Sequence, residues 1–180
     1  MSGPGPGLGP RLREAVELRS AGRPEEARRR LLDLCREHPD HAGVAYQTAW
    51  THDVLGLEAE ALPHYERALD RPGLSPRERA GAWLGLGSTH RVLGRYEDAL
   101  ATFDRGLGEF PGDQALRTFR AMALYNLGQA REAVGALLKV LAATTGDAQL
   151  RSYRRALEYY ADDLDGVVGE AGAAGAAGGG

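Results

Sequence analysis

Apolar positions in this chain follow a helical period, halt at a glycine and then resume. Trp83, Leu86, Gly87, His90 and Leu93 recur at spacings of three and four, one face of a 3.6-residue helix. Gly94 predicts the stop, because glycine takes the left-handed conformation at a helix C-terminus without a steric penalty. A second helix is predicted from about Tyr96, with Glu97 and Asp98 in its first turn, where the positive end of the helix dipole favours acids. It turns Tyr96, Ala99, Leu100, Phe103 and Leu107 inward, and Pro111 closes it.

This hairpin recurs. Gly22, Gly56, Gly94 and Gly128 stand 34, 38 and 34 residues apart. Five residues after each comes an alanine (Ala27, Ala61, Ala99, Ala133), preceded by Glu26, Glu60, Asp98 or Glu132. Leu31, Tyr65, Phe103 and Leu137 occupy one matching place and are expected to fill the space between helices. A fixed period in the thirties is the signature of a stacked array of hairpins. The 38-residue interval has a local cause: Ser75-Pro76-Arg77-Glu78 reads as a capping box, so the next helix begins about one turn early. Pro63 falls inside a predicted helix and implies a kink or a late start. Residues 147–164 form a last, unpaired helix whose Arg151, Arg154 and Arg155 replace apolar positions, as a solvent-facing cap requires.

The arrangement Trp83…Leu86-Gly87…Gly94…Tyr96…Ala99…Phe103…Pro111 resembles a tetratricopeptide repeat, and the resemblance covers residues 8–145. The first unit departs with Arg11 and Glu14, the second with Ala45, Thr48 and Ala49, and the fourth with Arg117, Arg120 and Thr145. The resemblance implies an all-α fold, a right-handed α-solenoid, in a domain spanning 10–165. Its units are placed at about 8–41, 42–79, 80–113 and 114–147, with a C-terminal capping helix at 147–164. Residues 1–9 and 166–180, rich in glycine with proline or alanine, are expected to be flexible tails.

In such proteins the first helix of each unit lines a concave groove. Carried onto this sequence, that face offers Leu12, Val16 and Arg19; Tyr46, Trp50 and Asp53; Leu84, Ser88 and Arg91; and Thr118, Met122, Tyr125 and Asn126. The capping helix adds Ser152 and Tyr159. Aromatic, Met and Arg side chains gathered on one face suit a protein or peptide partner. Lysine is absent from these places, which argues against a clamp for a C-terminal carboxylate; an apolar helix or extended segment is the better-matched guest. Self-association through the groove or the Arg-rich cap, giving a homodimeric structural protein, is the alternative.

Composition narrows this reading. The 180 residues are 43% hydrophobic and 26% charged, ample for one packed domain. A net charge of −3, with 21 arginines scattered among acids and the single lysine Lys139, gives no basic stripe for nucleic acid. No apolar run approaches the roughly 20 residues of a membrane span, and Met1–Pro10 lacks the features of a secretion signal. A cytoplasmic protein is therefore expected, and the family resemblance is to small, stand-alone bacterial members.

No catalytic constellation stands out, and the chain is read as a non-enzyme. Ser88 and His90 are two apart on one helix and point to different faces. Cys35, near His38, reads as a small buried apolar residue. No metal or cofactor is expected: His38 and His41 flank a loop, while His52 and His90 hold a packing position with the imidazole tip reaching a polar neighbour. Asp163-Leu-Asp165-Gly166 has the middle of a calcium loop but carries Ala161 and Gly172 at its principal ligand places.

Overall fold

The computed structural model describes residues 7–167 and is helical throughout, without a strand among those residues. In chain order the helices are α1 (Leu8–Ser20), α2 (Pro24–Glu37), α3 (Ala42–Val54), α4 (Glu58–Asp70) and α5 (Pro76–Val92). They continue with α6 (Tyr96–Glu109), α7 (Gln114–Asn126), α8 (Ala130–Thr144), α9 (Ala148–Ser152) and α10 (Arg154–Asp162). Helix α1 begins at Leu8, inside the segment expected as a tail; the remainder of the two expected tails, apart from residues 7, 166 and 167, lies outside the described residues.

Four turns of one kind make the hairpins. Gly22, Gly56, Gly94 and Gly128 have φ between 70° and 80°. The N–H of each donates to the carbonyl three residues back: Arg19, Asp53, Arg91 and Tyr125. The next N–H reaches five back, to the carbonyls of Leu18, His52, His90 and Leu124, at 2.9–3.0 Å. This double bond pattern satisfies carbonyls the helix end would leave bare and fixes the direction of the returning chain. The N-termini of α3, α7 and α9 are capped by side chains: His41 Nδ1 accepts from the Val44 N–H, and Asp113 and Asp147 accept from those of Leu116 and Leu150. The Ser75–Glu78 capping box is complete, and α5 accordingly starts a turn early at Pro76.

Consecutive helices from α1 to α8 pack against one another, and α1, α3, α5 and α7 also touch in series, so the first helices of the hairpins form one layer. The largest core cluster runs from Ala45 to Ala123 across α3–α7, around Trp83, Phe103 and Tyr65. A smaller one, with Ala15, Leu31 and Val44, closes the N-terminal end. Small residues hold the close approaches: a Cβ on Gly87 would lie 2.4 Å from the Phe103 ring, and one on Gly85 would lie 2.2 Å from that of Tyr65.

Three expectations change. Helix α4 runs unbroken through Pro63 and starts two residues after its glycine, like α2, α6 and α8. Pro63 and Ala59 are both exposed, so the carbonyl deprived of its donor faces water instead of core. The expected last helix is split at Tyr153, whose N–H bonds three residues back to Leu150 while the Ser152 hydroxyl donates to the Gln149 carbonyl. These tighter bonds end α9 after five residues. Leu137, expected as a filler equivalent to Tyr65 and Phe103, is 41% exposed.

A histidine pair joins α3 to α4. Arg28 Nε donates to His52 Nε2 at 3.1 Å, so His52 Nδ1 carries the proton it gives to the Thr48 carbonyl at 2.8 Å. The ring of His64 stacks on that of His52, centroids 5.3 Å apart. His52 thus meets its polar neighbours as expected; His90 does not, its Nδ1 being buried without a partner among the described residues. Burial first, then His52 and Arg67, depress the His64 pKa from its ordinary 6.5 to about 4. The unfolded chain takes up this proton near 6.5 and the folded chain resists it. Stability from His64 is therefore intact above pH 6.5 and lost as pH falls toward 4.

Two outcomes are expected from urea denaturation. Gly87→Ala loses about 2 kcal/mol by displacing the Phe103 ring, whereas Gly108→Ala, with open space around it, gains up to about 0.5 kcal/mol. Between pH 7 and 5 the wild type loses about 1 kcal/mol more than His64→Gln, a value discounted for the half-buried ring.

Candidate functional site

The layer formed by α1, α3, α5 and α7 carries a chain of polar links from one hairpin to the next. Arg19 on α1 is buried, and its Nη1 donates to the Gln47 carbonyl at 3.2 Å and to Thr51 Oγ1 at 3.1 Å. Its Nη2 meets Gln47 Oε1 at 2.8 Å, and its guanidinium stacks 3.9 Å from the Trp50 ring. Asp53 continues the chain: one oxygen accepts from the Tyr65 hydroxyl at 2.6 Å, the other from Thr89 Oγ1 on α5 at 3.1 Å. Arg91 on α5 then donates to Asn126 Oδ1 on α7 at 3.4 Å. Burial disfavours the charge on both acid and base. It lowers the Arg19 pKa, and it raises that of Asp53 against the two hydroxyl hydrogen bonds that favour its ionised form. Burial first, then the Asp53 charge and the hydrogen bond to it, raise the Tyr65 phenol well above its usual range.

The residues proposed to line a groove therefore divide. Arg19 and Tyr46 are buried, not exposed: Tyr46 packs between Trp50 and Tyr65, centroids at 5.9 and 6.4 Å. Leu12 packs on the N-terminal cluster and Leu84 on the main one, both partly covered. Asp53, Arg91 and Asn126 are half-buried links between hairpins. Val16, Ser88 and Thr118 are likewise half-buried, and the Thr118 hydroxyl bonds back to Gln114. The open aromatic and apolar surface comes from Trp50 (44% exposed), Met122 and Tyr125 (67%). Tyr159 is exposed on α10, which packs on α8, and Ser152 is exposed on α9.

Gln47, Thr51 and Thr89 were absent from the sequence-derived site. A signal existed: Thr51 and Thr89 both stand five residues before a turn glycine, and Asp53 stands three before one. The Asp53 carboxylate of one unit and the hydroxyl at the recurring Thr place of the next can reach one another once the units stack.

A second concavity of about 590 Å³ lies between α6, α7, α8 and α10, lined by Leu107, Ala136 and Leu164 with Arg117, Arg120, Arg131 and Lys139. Its cations are engaged: Arg120 pairs with Asp104, Arg131 with Asp165 and Lys139 with Asp162, while Arg117 donates to the Pro111 carbonyl. Among the described residues no three His, Cys, Asp or Glu side chains gather as metal ligands. Cys35 Sγ lies 3.2 Å from Thr48 Oγ1, and burial raises its pKa, which keeps the thiol protonated and unreactive. No described helix is long and apolar enough to cross a membrane.

With the repeated turns and helix layer in place, the comparisons are decisive about family. The family model described as tetratrico peptide repeat matches residues 42–164. The chain belongs to the tetratrico peptide repeat family. Superkiller protein 3 of Schizosaccharomyces pombe is 34% identical over 100 residues, which cover 52% of this chain and 7% of that protein. The solved structure titled "Crystal structure of APC/C hetero-tetramer Cut9-Hcn1" matches with a TM-score of 0.66 at 18% identity, covering 84% of this chain and 29% of the other. That likeness shows the fold, an α-solenoid, and the chain spans only a small part of either protein.

The linking and the open residues of this tetratrico peptide repeat layer respond differently to truncation. Asp53→Ala strips the buried Tyr65 hydroxyl of its acceptor and cuts the link to Thr89, whose hydroxyl keeps the Gly85 carbonyl; it is expected to lose about 2 kcal/mol, whereas Tyr125→Ala stays within about 0.5 kcal/mol of wild type. Thermal and urea unfolding monitored by circular dichroism distinguishes them.

Proposed function

We propose that the chain is a non-enzymatic interaction module of the cytoplasm, which holds a polypeptide segment of a protein partner on the layer formed by its first helices. The observation that carries this reading is the open cluster at the C-terminal half of that layer: Tyr125 and Met122 stand exposed on α7 beside the Arg91–Asn126 link. Such amphipathic side chains on a rigid helix lose little entropy on binding and offer both contact area and a polar tip. Trp50, held flat by Arg19, supplies a second, pre-oriented aromatic surface two hairpins away. Arg91, with its Nε buried and unpartnered among the described residues, is placed to orient an acidic or carbonyl group of the guest.

Family membership supports this reading, since tetratrico peptide repeat proteins bind protein partners.

The test is affinity capture quantified by mass spectrometry, comparing wild type with Met122→Ala/Tyr125→Ala. A specific polypeptide is expected to be retained by the wild type and to lose roughly tenfold or more in affinity for the variant, with helical circular dichroism unchanged. Retention of every captured polypeptide by the double variant overturns the assignment of this surface.

A further inference from the structure

Helix α8 carries an apolar stripe that its counterparts keep covered. Val134, Leu137 and Leu141 stand six, nine and thirteen residues after Gly128; Leu62, Tyr65 and Leu69 hold these places after Gly56, and Leu100, Phe103 and Leu107 after Gly94. In those two units the next hairpin's first helix covers them. Tyr65 lies against Gly85 of α5, and the Phe103 ring packs 6.5 Å from Phe119 of α7. In the fourth unit α10 packs elsewhere. It meets α8 along Arg131, Gly135 and Lys139, with the Ala161 carbonyl 2.4 Å from where a Gly135 Cβ would stand and with ion pairs to Asp165 and Asp162. Val134, Leu137 and Leu141 are left 45%, 41% and 37% exposed. Helical spacing puts Tyr153 and Tyr160 on the flank of α10 away from Asp162, toward this stripe, and both are exposed.

Charge on the last helix points to what covers the stripe. Arg154 and Arg155 occupy the first turn of α10, and Asp162 and Asp163 its end, the reverse of what the helix dipole favours. Neither α9 nor α10 has a buried residue, and segments of five and nine residues are too short to be stable helices alone. An antiparallel copy of α10 corrects both defects: the dipoles oppose, and pairing about Tyr159 sets Arg155 across from Asp163. The opposite end of the stack cannot serve as the guest, because the outer side of its first hairpin is charged and already paired, Arg11 with Glu37 and Glu14 with Arg30.

We propose that the α8–α10 face is a two-fold interface: a second copy of this chain covers the Val134–Leu137–Leu141 stripe and pairs α10 with α10. An isologous contact closes at two subunits, whereas joining opposite ends of the stack would propagate into fibres.

Sedimentation velocity on the full chain, from micromolar to hundreds of micromolar, tests it. The wild type is expected to reach twice the 19.3 kDa monomer mass. Leu137→Glu/Leu141→Glu, at exposed sites that leave circular dichroism unchanged, is expected to remain monomeric. Arg155→Glu and Asp163→Arg each weaken the dimer about tenfold, and the two together restore it, since the swapped charges again face one another. A wild type that stays at monomer mass throughout overturns the proposal, as does a dimer indifferent to the stripe variant or a double charge swap no better than the singles. Partner capture by the Leu137→Glu/Leu141→Glu variant reads out the interaction module independently of this result.

Discussion

How closely the two helices of a hairpin approach governs everything else in this structure. Each hairpin carries a small residue seven places before its turn glycine and an alanine five places after it: Ala15 with Ala27, Ala49 with Ala61, Gly87 with Ala99, and Ala121 with Ala133. All are buried. Short side chains at these places let helix backbones come close, and any larger group there would force shifts of about 1–3 kcal/mol. Direction comes from the left-handed glycine and its two reversed hydrogen bonds. Distance and direction together make the hairpins alike, so they stack in series with the first helices in one layer.

Stacking then gives a single register of that layer several roles. Arg19, Asp53, Arg91 and Tyr125 all stand three residues before a turn glycine. Arg19 reaches α3, Asp53 reaches α5, and Arg91 reaches α7, each tying one hairpin to the next through a side chain that stacking desolvates. Tyr125 meets no further first helix among the described residues and remains open. The same position thus changes from structural link to available surface along the array, because only the first three hairpins have another stacked upon them.

The last helices display the limits of the repeat. A fifth first-helix placed like the others would cover both Tyr125 and the α8 stripe. Gly135 instead accepts the end of α10 at backbone distance, and Lys139 and Arg131 hold its acids. These contacts draw α10 to one side of α8 and open the cavity shared with α6 and α7. A charge pattern that opposes the helix dipole, on a helix with no buried residue, marks a segment whose sequence answers to something beyond its own hairpin.

Periodicity, turn glycines, small-residue pairs and caps are local, and they were legible along the chain: the four hairpins, the early start of α5 at Ser75 and the helical class all follow from residues within a few turns of one another. Burial on the inner layer was not, since it depends on neighbours about 35 residues away. Tyr46 and Arg19 look like groove residues on a helical wheel, but Trp50, Gln47 and Thr51 enclose Arg19 once α1 and α3 meet. Leu137 looks like core by register, yet it is open because α10 chose Gly135 over the stripe. Sequence alone determined the repeating unit, because its geometry is set by backbone sterics and nearest-neighbour packing. Tertiary structure decided which faces remain available, because exposure depends on where the next helix goes.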